Sequence, residues 1–310
     1  MRFSEIIGHR AQIDLLRQIA AGGRLAHAIV LAGPPGVGKR LVADAFTATL
    51  LCDEKGDDAC GHCASCLQVA GGSHSDVLIV SLPKDKREIS IEKARELNQF
   101  LRLQPLRGGR KIALVDDAHL LNLAAQNALL KGLEEPPPQS LVLLVANNAD
   151  ALLPTIRSRC QRLLFGPLPD ADVAEVLRRT GAAAGDLEAM VASADGSPGR
   201  AVKLRKSNAN AAALQLADVS GARYGALVRG ATALAESEEK ASGGLEALLR
   251  SIHQDAVAAV RAGNREEAAA AAAAADTVIQ SLAQLRRRNA NRSLLLESTL
   301  LEAAKRYRRG

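Results

Sequence analysis

The sequence predicts an α/β protein, with a doubly wound parallel sheet in the first half and helices alone in the rest. Three observations predict it. Up to about residue 165, near-continuous apolar runs alternate with segments of helical period, the pattern of strands buried on both faces and of the helices that cover them. Between the first run and the first helical segment lies a glycine-rich turn, "GPPGVGK" at 33–39, laid out like a loop that cradles phosphate at a helix N-terminus. After "GPLPD" at 166–170 the strand signals cease, which leaves the remainder to helical units.

The expected strands are "HAIVLAG" (27–33), "DVLIVSL" (76–82), "KIALVDDA" (111–118), "SLVLLVANN" (140–148) and "CQRLLF" (160–165). Helices are expected between them, among them "SIEKARELNQFLRL" with Ser90 as N-cap and "AHLLNLAAQNALLKGLEE" after the third strand. Residues 171 to about 205 read as a small helical domain broken by "ADGSPGR". From about 208 onward the reading is entirely helical, and the eight alanines at 268–275 have the highest helix propensity there is. In the last segment Leu282, Leu285, Leu294, Leu296, Leu300 and Leu301 interleave with polar residues, so one face must bury against its own domain or a neighbour.

Composition narrows the function. The chain has 310 residues, 47% of them hydrophobic, enough for two or three domains. No apolar run approaches a membrane span and the N-terminus lacks a signal-peptide pattern, so a cytoplasmic protein with no membrane partner is expected. The formal charge of +6 is compatible with phosphate contact. Aromatics are 2% of residues and Trp is absent, which argues against a surface that stacks bases on rings.

Four constellations carry chemistry. In the first, Gly33, Gly36, Gly38 and Lys39 fit a P-loop, in which backbone N–H groups approach phosphate oxygens and the lysine reaches the outer phosphates. Arg40 stands where a Ser or Thr hydroxyl would meet Mg²⁺, and a guanidinium cannot coordinate a metal. ATP binding could survive this change while metal-assisted hydrolysis should suffer. In the second, the apolar strand ending in Asp116 and Asp117 resembles a Walker B element, whose first acid supports Mg²⁺ and whose second, usually Glu, polarises water. Taken alone, an equal alternative is a turn whose aspartates cap the next helix. The P-loop upstream favours the first.

Third, Cys52, Cys60, Cys63 and Cys66 supply four thiolates, enough for a closed, structural Zn²⁺ site; an iron–sulfur cluster and unpaired thiols are the rivals, and His62 reads as a bystander. Fourth, "TIRSRC" at 155–160 holds Arg159, either a solvated charge or, in a ring assembly, a group that reaches the γ-phosphate of the next subunit.

Together "FSEIIGH", "HAIVLAGPPGVGK", the four-cysteine insert, "NALLKGLEEPPPQS" and "LPTIRSRC", in this order, resemble the clamp-loader branch of the AAA+ ATPases. The resemblance covers the chain to about residue 205. It implies an AAA+ doubly wound parallel sheet (1–165) with an inserted zinc module at 52–66, a small helical lid domain (166–207) and an all-α collar domain for oligomerisation (208–310). It further implies gamma/tau-type and delta-type subunits as partners in a hetero-oligomeric ring, a sliding clamp, and primed-template DNA reached through the assembly.

Carried onto this sequence, the family's phosphate loop falls on Gly33, Gly36, Gly38 and Lys39, its Walker B acids on Asp116 and Asp117, its sensor 1 near Asn147, and its arginine finger on Arg159. The lid departs from the motor pattern: "GSPGR" has Gly199 where motor subunits place an arginine, with Arg200 one step, or roughly 100° of helix, further on. Three elements that act in cis are altered (Arg40, Asp117, Gly199) and the one that acts in trans is intact. The expectation is a stator-like subunit that barely hydrolyses ATP itself. The alternatives are a motor subunit, a small-molecule P-loop phosphotransferase, for which no acceptor-binding constellation is visible, and a zinc-ribbon DNA-binding module, which the acidic "DEKGDDACGH" setting opposes.

Overall fold

A computed structural model describes the chain except residues 23–24, 84–85, 108, 184, 186, 204–230, 233, 237, 286–290 and 308–310. It divides into two compact units, Met1–Ala201 and Val202–Gly310.

The first unit is built on five parallel strands: β1 (Ala28–Ala32), β2 (Val77–Val80), β3 (Lys111–Val115), β4 (Ser140–Ala146) and β5 (Gln161–Leu164). Their order is β2-β3-β4-β1-β5. Each lies within its expected run. The central strands are buried throughout and, after Lys111 and Ser140 at the starts of β3 and β4, apolar, because both faces are covered. On one face Ala28, Val30, Ala113, Val115, Val142 and Leu144 pack with residues of α4 (Ile91–Leu101) and α5 (Leu123–Glu134). On the other, Ile29, Leu31, Ile112, Leu114, Leu141 and Leu143 pack with α1 (Arg10–Ala20) and α2 (Lys39–Leu51). β5 is an edge strand, and its alternation shows it: Leu163 is buried while Leu164 is exposed.

One helix start agrees with the sequence reading and one differs. Ser90 occupies the N-cap position of α4, but its hydroxyl makes no capping bond. The helix expected from Ala118 onward is broken into a 3-10 turn (Ala118–Leu120) and α5, with Asn122 Oδ1 accepting the Ala125 N–H as the true cap. Short helices complete the unit: α3 (Ala64–Ala70), α6 (Pro154–Arg157), α7 (Asp170–Arg179) and α8 (Leu187–Ala194), with helical residues again at 198–201.

In the second unit, α9 (Glu238–Arg261), α10 (Arg265–Leu285) and α11 (Arg292–Tyr307) share a core that includes Leu245, Leu248, Ile252, Val278, Leu296 and Leu300. The alanine run lies inside α10, where Ala271 and Ala274 are buried, and small side chains let helices approach closely. Gly263, at φ 76°, ends α9, and Asn264 Oδ1 accepts the Glu267 N–H at the start of α10. The leucine-rich last segment is two helices, and Leu294 faces solvent. The part of the all-helical reading that falls on 208–230 lies outside the described residues. Among the described residues no helix is long and apolar enough to cross a membrane.

Candidate functional site

Strand order brings the loop and the acids together. β1 lies beside β4, and β4 beside β3, all parallel, so Gly33, Asn147 and Asp116 leave the same carboxyl edge of the sheet, where open α/β sheets bind ligands. Gly38 caps α2 with φ 107°, a conformation that favours glycine. Gly36 is required for space: a Cβ there would lie 2.6 Å from Ser197 Oγ.

Lys39 is only 4% exposed. Its Nζ donates to Gly33 O at 2.8 Å, Pro34 O at 2.6 Å and Asn147 Oδ1 at 3.1 Å, so each of its three donors has an acceptor. Burial pulls its pKa down to about 8, against the opposing pull of Asp117 and Asp116. Asn147 in turn donates its backbone N–H to His119 Nδ1, and burial lowers the pKa of that imidazole.

Arg40 bridges two carboxylates. Nε donates to both oxygens of Asp44 at 2.8 and 3.0 Å, and Nη1 to Asp116 Oδ2 at 2.8 Å. The acid that would support Mg²⁺ is therefore already paired with a fixed cation of the same chain. Asp117 is in the left-handed region (φ 53°) at the start of the 3-10 turn and makes no capping bond with its side chain. Ser197 and Gly199 bond to the backbone of the loop. Ser197 Oγ donates to Pro35 O at 2.7 Å and the Gly199 N–H to Gly36 O at 3.0 Å. A Cβ on Gly199 would be 2.8 Å from Gly36 Cα, and Arg200 pairs instead with Asp195. Lys39 is thus satisfied within its own chain, and Arg40 is paired with Asp116.

The four cysteines do converge. The Sγ atoms of Cys52, Cys60, Cys63 and Cys66 all lie within 4.8 Å of one another, and Cys60 Sγ is 3.9 Å from Cys66 Sγ. That spacing is close to the roughly 3.8 Å between sulfurs of a tetrahedron with 2.3 Å Zn–S bonds. Backbone N–H groups of Cys60, Cys63 and Cys66 point at the sulfurs of Cys52, Cys60 and Cys63, the second shell that orients metal thiolates. The donor set fits a structural metal. His62 pairs with Glu54 on the surface. The module also holds the N-terminus: Asp58 accepts the N–H groups of Phe3 at 2.7 Å and Ser4 at 2.9 Å and pairs with Arg17. Burial opposes its ionisation, yet these N–H donors hold its pKa below the usual carboxylate value.

Arg159 sits apart from the loop in the turn between α6 and β5. Its side chain is 37% exposed and pairs with Glu134 at 3.0 Å. Sequence reasoning singled out neither Glu134, Asp58, His119 nor Ser197; no local pattern marks them, since each acts on a residue distant in the chain.

A family model described as DNA polymerase III, delta subunit, matches residues 8–169, just over half of the chain. The chain belongs to that family. A DNA polymerase III subunit delta' of Pseudomonas aeruginosa is 38% identical over 161 residues, covering 52% of this chain and 49% of the relative. The delta' subunit of Escherichia coli is 36% identical over 184 residues, 59% of this chain and 55% of the relative. The tau subunit of Bacillus subtilis is 30% identical over 165 residues, 53% of this chain and 29% of the relative. The chain thus spans about half the length of the delta' relatives it matches. A gamma subunit-related protein of DNA polymerase III from Thermotoga maritima superposes with a TM-score of 0.54 at 19% identity, over 96% of this chain and 99% of that one, which shows a shared fold.

Proposed function

We propose that this chain is a delta-prime, stator-type subunit of the DNA polymerase III clamp loader, which helps place a sliding clamp on primed DNA. In this reading residues 1–165 form an AAA+ domain, 166–207 a lid held against its own loop, and 208–310 the collar through which the chain joins gamma/tau and delta subunits in a cytoplasmic ring. Cys52, Cys60, Cys63 and Cys66 hold one Zn²⁺, a closed structural site with no position for a substrate. Arg159 acts in trans on ATP bound by a neighbour, where a guanidinium stabilises charge that develops on the transferred phosphoryl group. Any polymerase chemistry belongs to the assembly.

The observation that carries this reading is the Arg40–Asp116 pair. A tethered guanidinium on the metal-supporting acid leaves Mg²⁺ without its protein ligand and sets positive charge against it. The motor reading needs that acid free. The test is ATP binding to the purified chain with and without Mg²⁺. Affinity that does not depend on Mg²⁺ supports the stator; affinity that rises steeply with Mg²⁺, together with turnover by the chain alone, would establish the motor.

A further inference from the structure

Arg159 is a long side chain at the surface, and an unrestrained arginine has rotamer entropy to lose before it can engage a phosphate. The structure shows it restrained. Nη1 donates to Thr155 O at 3.0 Å and lies 3.4 Å from Ser158 Oγ, while Nη2 pairs with Glu134 Oε1 at 3.0 Å. Thr155 and Ser158 belong to the same short turn as the arginine. Glu134 does not: it is the last residue of α5, the helix packed beside α6.

The same helix fixes the backbone beneath the arginine. Gln126, buried on α5, accepts the Leu153 N–H at 2.8 Å and donates to Ala151 O at 3.2 Å. Leu153 is the residue before α6, and buried Ile156 and Cys160 anchor the turn on either side of Arg159. One helix therefore sets the turn with Gln126 and the side chain with Glu134, eight residues or about 12 Å along its axis. The neighbouring arginine, Arg157, is paired with Asp150 in the preceding loop, so α5 restrains Arg159 through a separate contact.

We propose that Glu134 is a positioning residue for Arg159, which holds the guanidinium by one edge in the orientation it needs toward a neighbouring subunit's ATP. The proposal rests on the trans-acting reading of Arg159. An exposed ion pair of this kind adds little to stability, so its consequence is orientation. Misplacing a group that stabilises a transition state costs turnover and leaves ground-state binding of ATP alone.

The experiment is steady-state ATP hydrolysis by the complex reconstituted with gamma/tau and delta subunits, clamp and primed DNA. It compares the wild-type chain with Glu134→Ala, Glu134→Gln, Arg159→Ala and the double variant Glu134→Ala/Arg159→Ala, with assembly checked by gel filtration. Glu134→Ala is expected to lower kcat roughly 10-fold with KM for ATP unchanged. Glu134→Gln, whose amide oxygen still accepts from Nη2, should restore most of the loss. In the Arg159→Ala background Glu134→Ala should add nothing.

An unchanged or increased kcat for Glu134→Ala, with Arg159→Ala impaired, overturns the positioning role and keeps the trans-acting arginine; an increase would mean that Glu134 restrains the arginine from reacting. An equal loss in both backgrounds makes Glu134 structural. Wild-type kcat for Arg159→Ala overturns both readings.

Discussion

Three cations divide between two regions. Lys39 and Arg40 open the helix after the phosphate loop, and each is committed to acceptors of its own chain: two loop carbonyls and Asn147 for the lysine, Asp44 and Asp116 for the arginine. Arg159 is held by Glu134 and Thr155 in a turn that keeps it partly exposed. The first region is closed on itself, with the Ser197–Gly199 segment bonded to the loop backbone. The second presents a charge outward. Lys39 is buried with all three donors satisfied, which makes it a structural group; Arg40 is about as exposed as Arg159, and what sets it apart is that it is held between two carboxylates of its own chain while Arg159 pairs with one.

The largest effect that would break this contrast is at the outward cation. Arg159→Ala should slow hydrolysis at the ATP site it faces in the complex by about 10³, read as single-turnover hydrolysis with the complex still assembled. Next is the cysteine centre, which ties the N-terminus to this unit through Asp58. Cys63→Ser should reduce bound zinc from one per chain to none by elemental analysis and lower the melting temperature by roughly 10 °C; unchanged metal content would exclude Cys63 from the site.

The smallest effect sharpens the inward cation. The Lys39 pKa falls from an ordinary 10.5 to about 8 on folding, so the unfolded chain holds this proton more tightly. Below about pH 8 both states carry the charge and the folded chain bears its burial. Between about pH 8 and 10.5 the folded chain loses the proton first, and Lys39 costs progressively less. Lys39→Met should remove that rise. The difference in urea midpoint between wild type and variant across this range measures it, and a flat difference would contradict a buried, charged Lys39.

Much of this was legible in the sequence. The three central strands announced themselves because both faces of the sheet are covered there, leaving no polar alternation to blur the runs. The loop glycines, Lys39, the paired aspartates and the cysteines are local in sequence, and their spacing is their signal. The contacts that decide how the loop behaves are not local. Arg40 and Asp116 are 76 residues apart, Ser197 and Pro35 162 apart. Sequence flagged Arg40 as foreign to a metal site, but only the structure shows that it takes Asp116, the residue after β3. Gly199 marked a missing arginine; the structure adds that a side chain there would meet the Gly36 backbone. Asp58 looked like part of an acidic surface and instead gathers the backbone of Phe3 and Ser4.

The central claim is that this chain contributes to hydrolysis across an interface and not at its own loop. Steady-state ATP turnover by the purified chain, alone and then mixed with gamma/tau, delta, clamp and primed DNA, tests it most directly. Negligible turnover is expected from the chain alone, and turnover in the mixture that exceeds that of the same mixture without this chain. Robust turnover by the chain alone would contradict it, because Lys39 and Arg40 would then have to leave the acceptors that hold them.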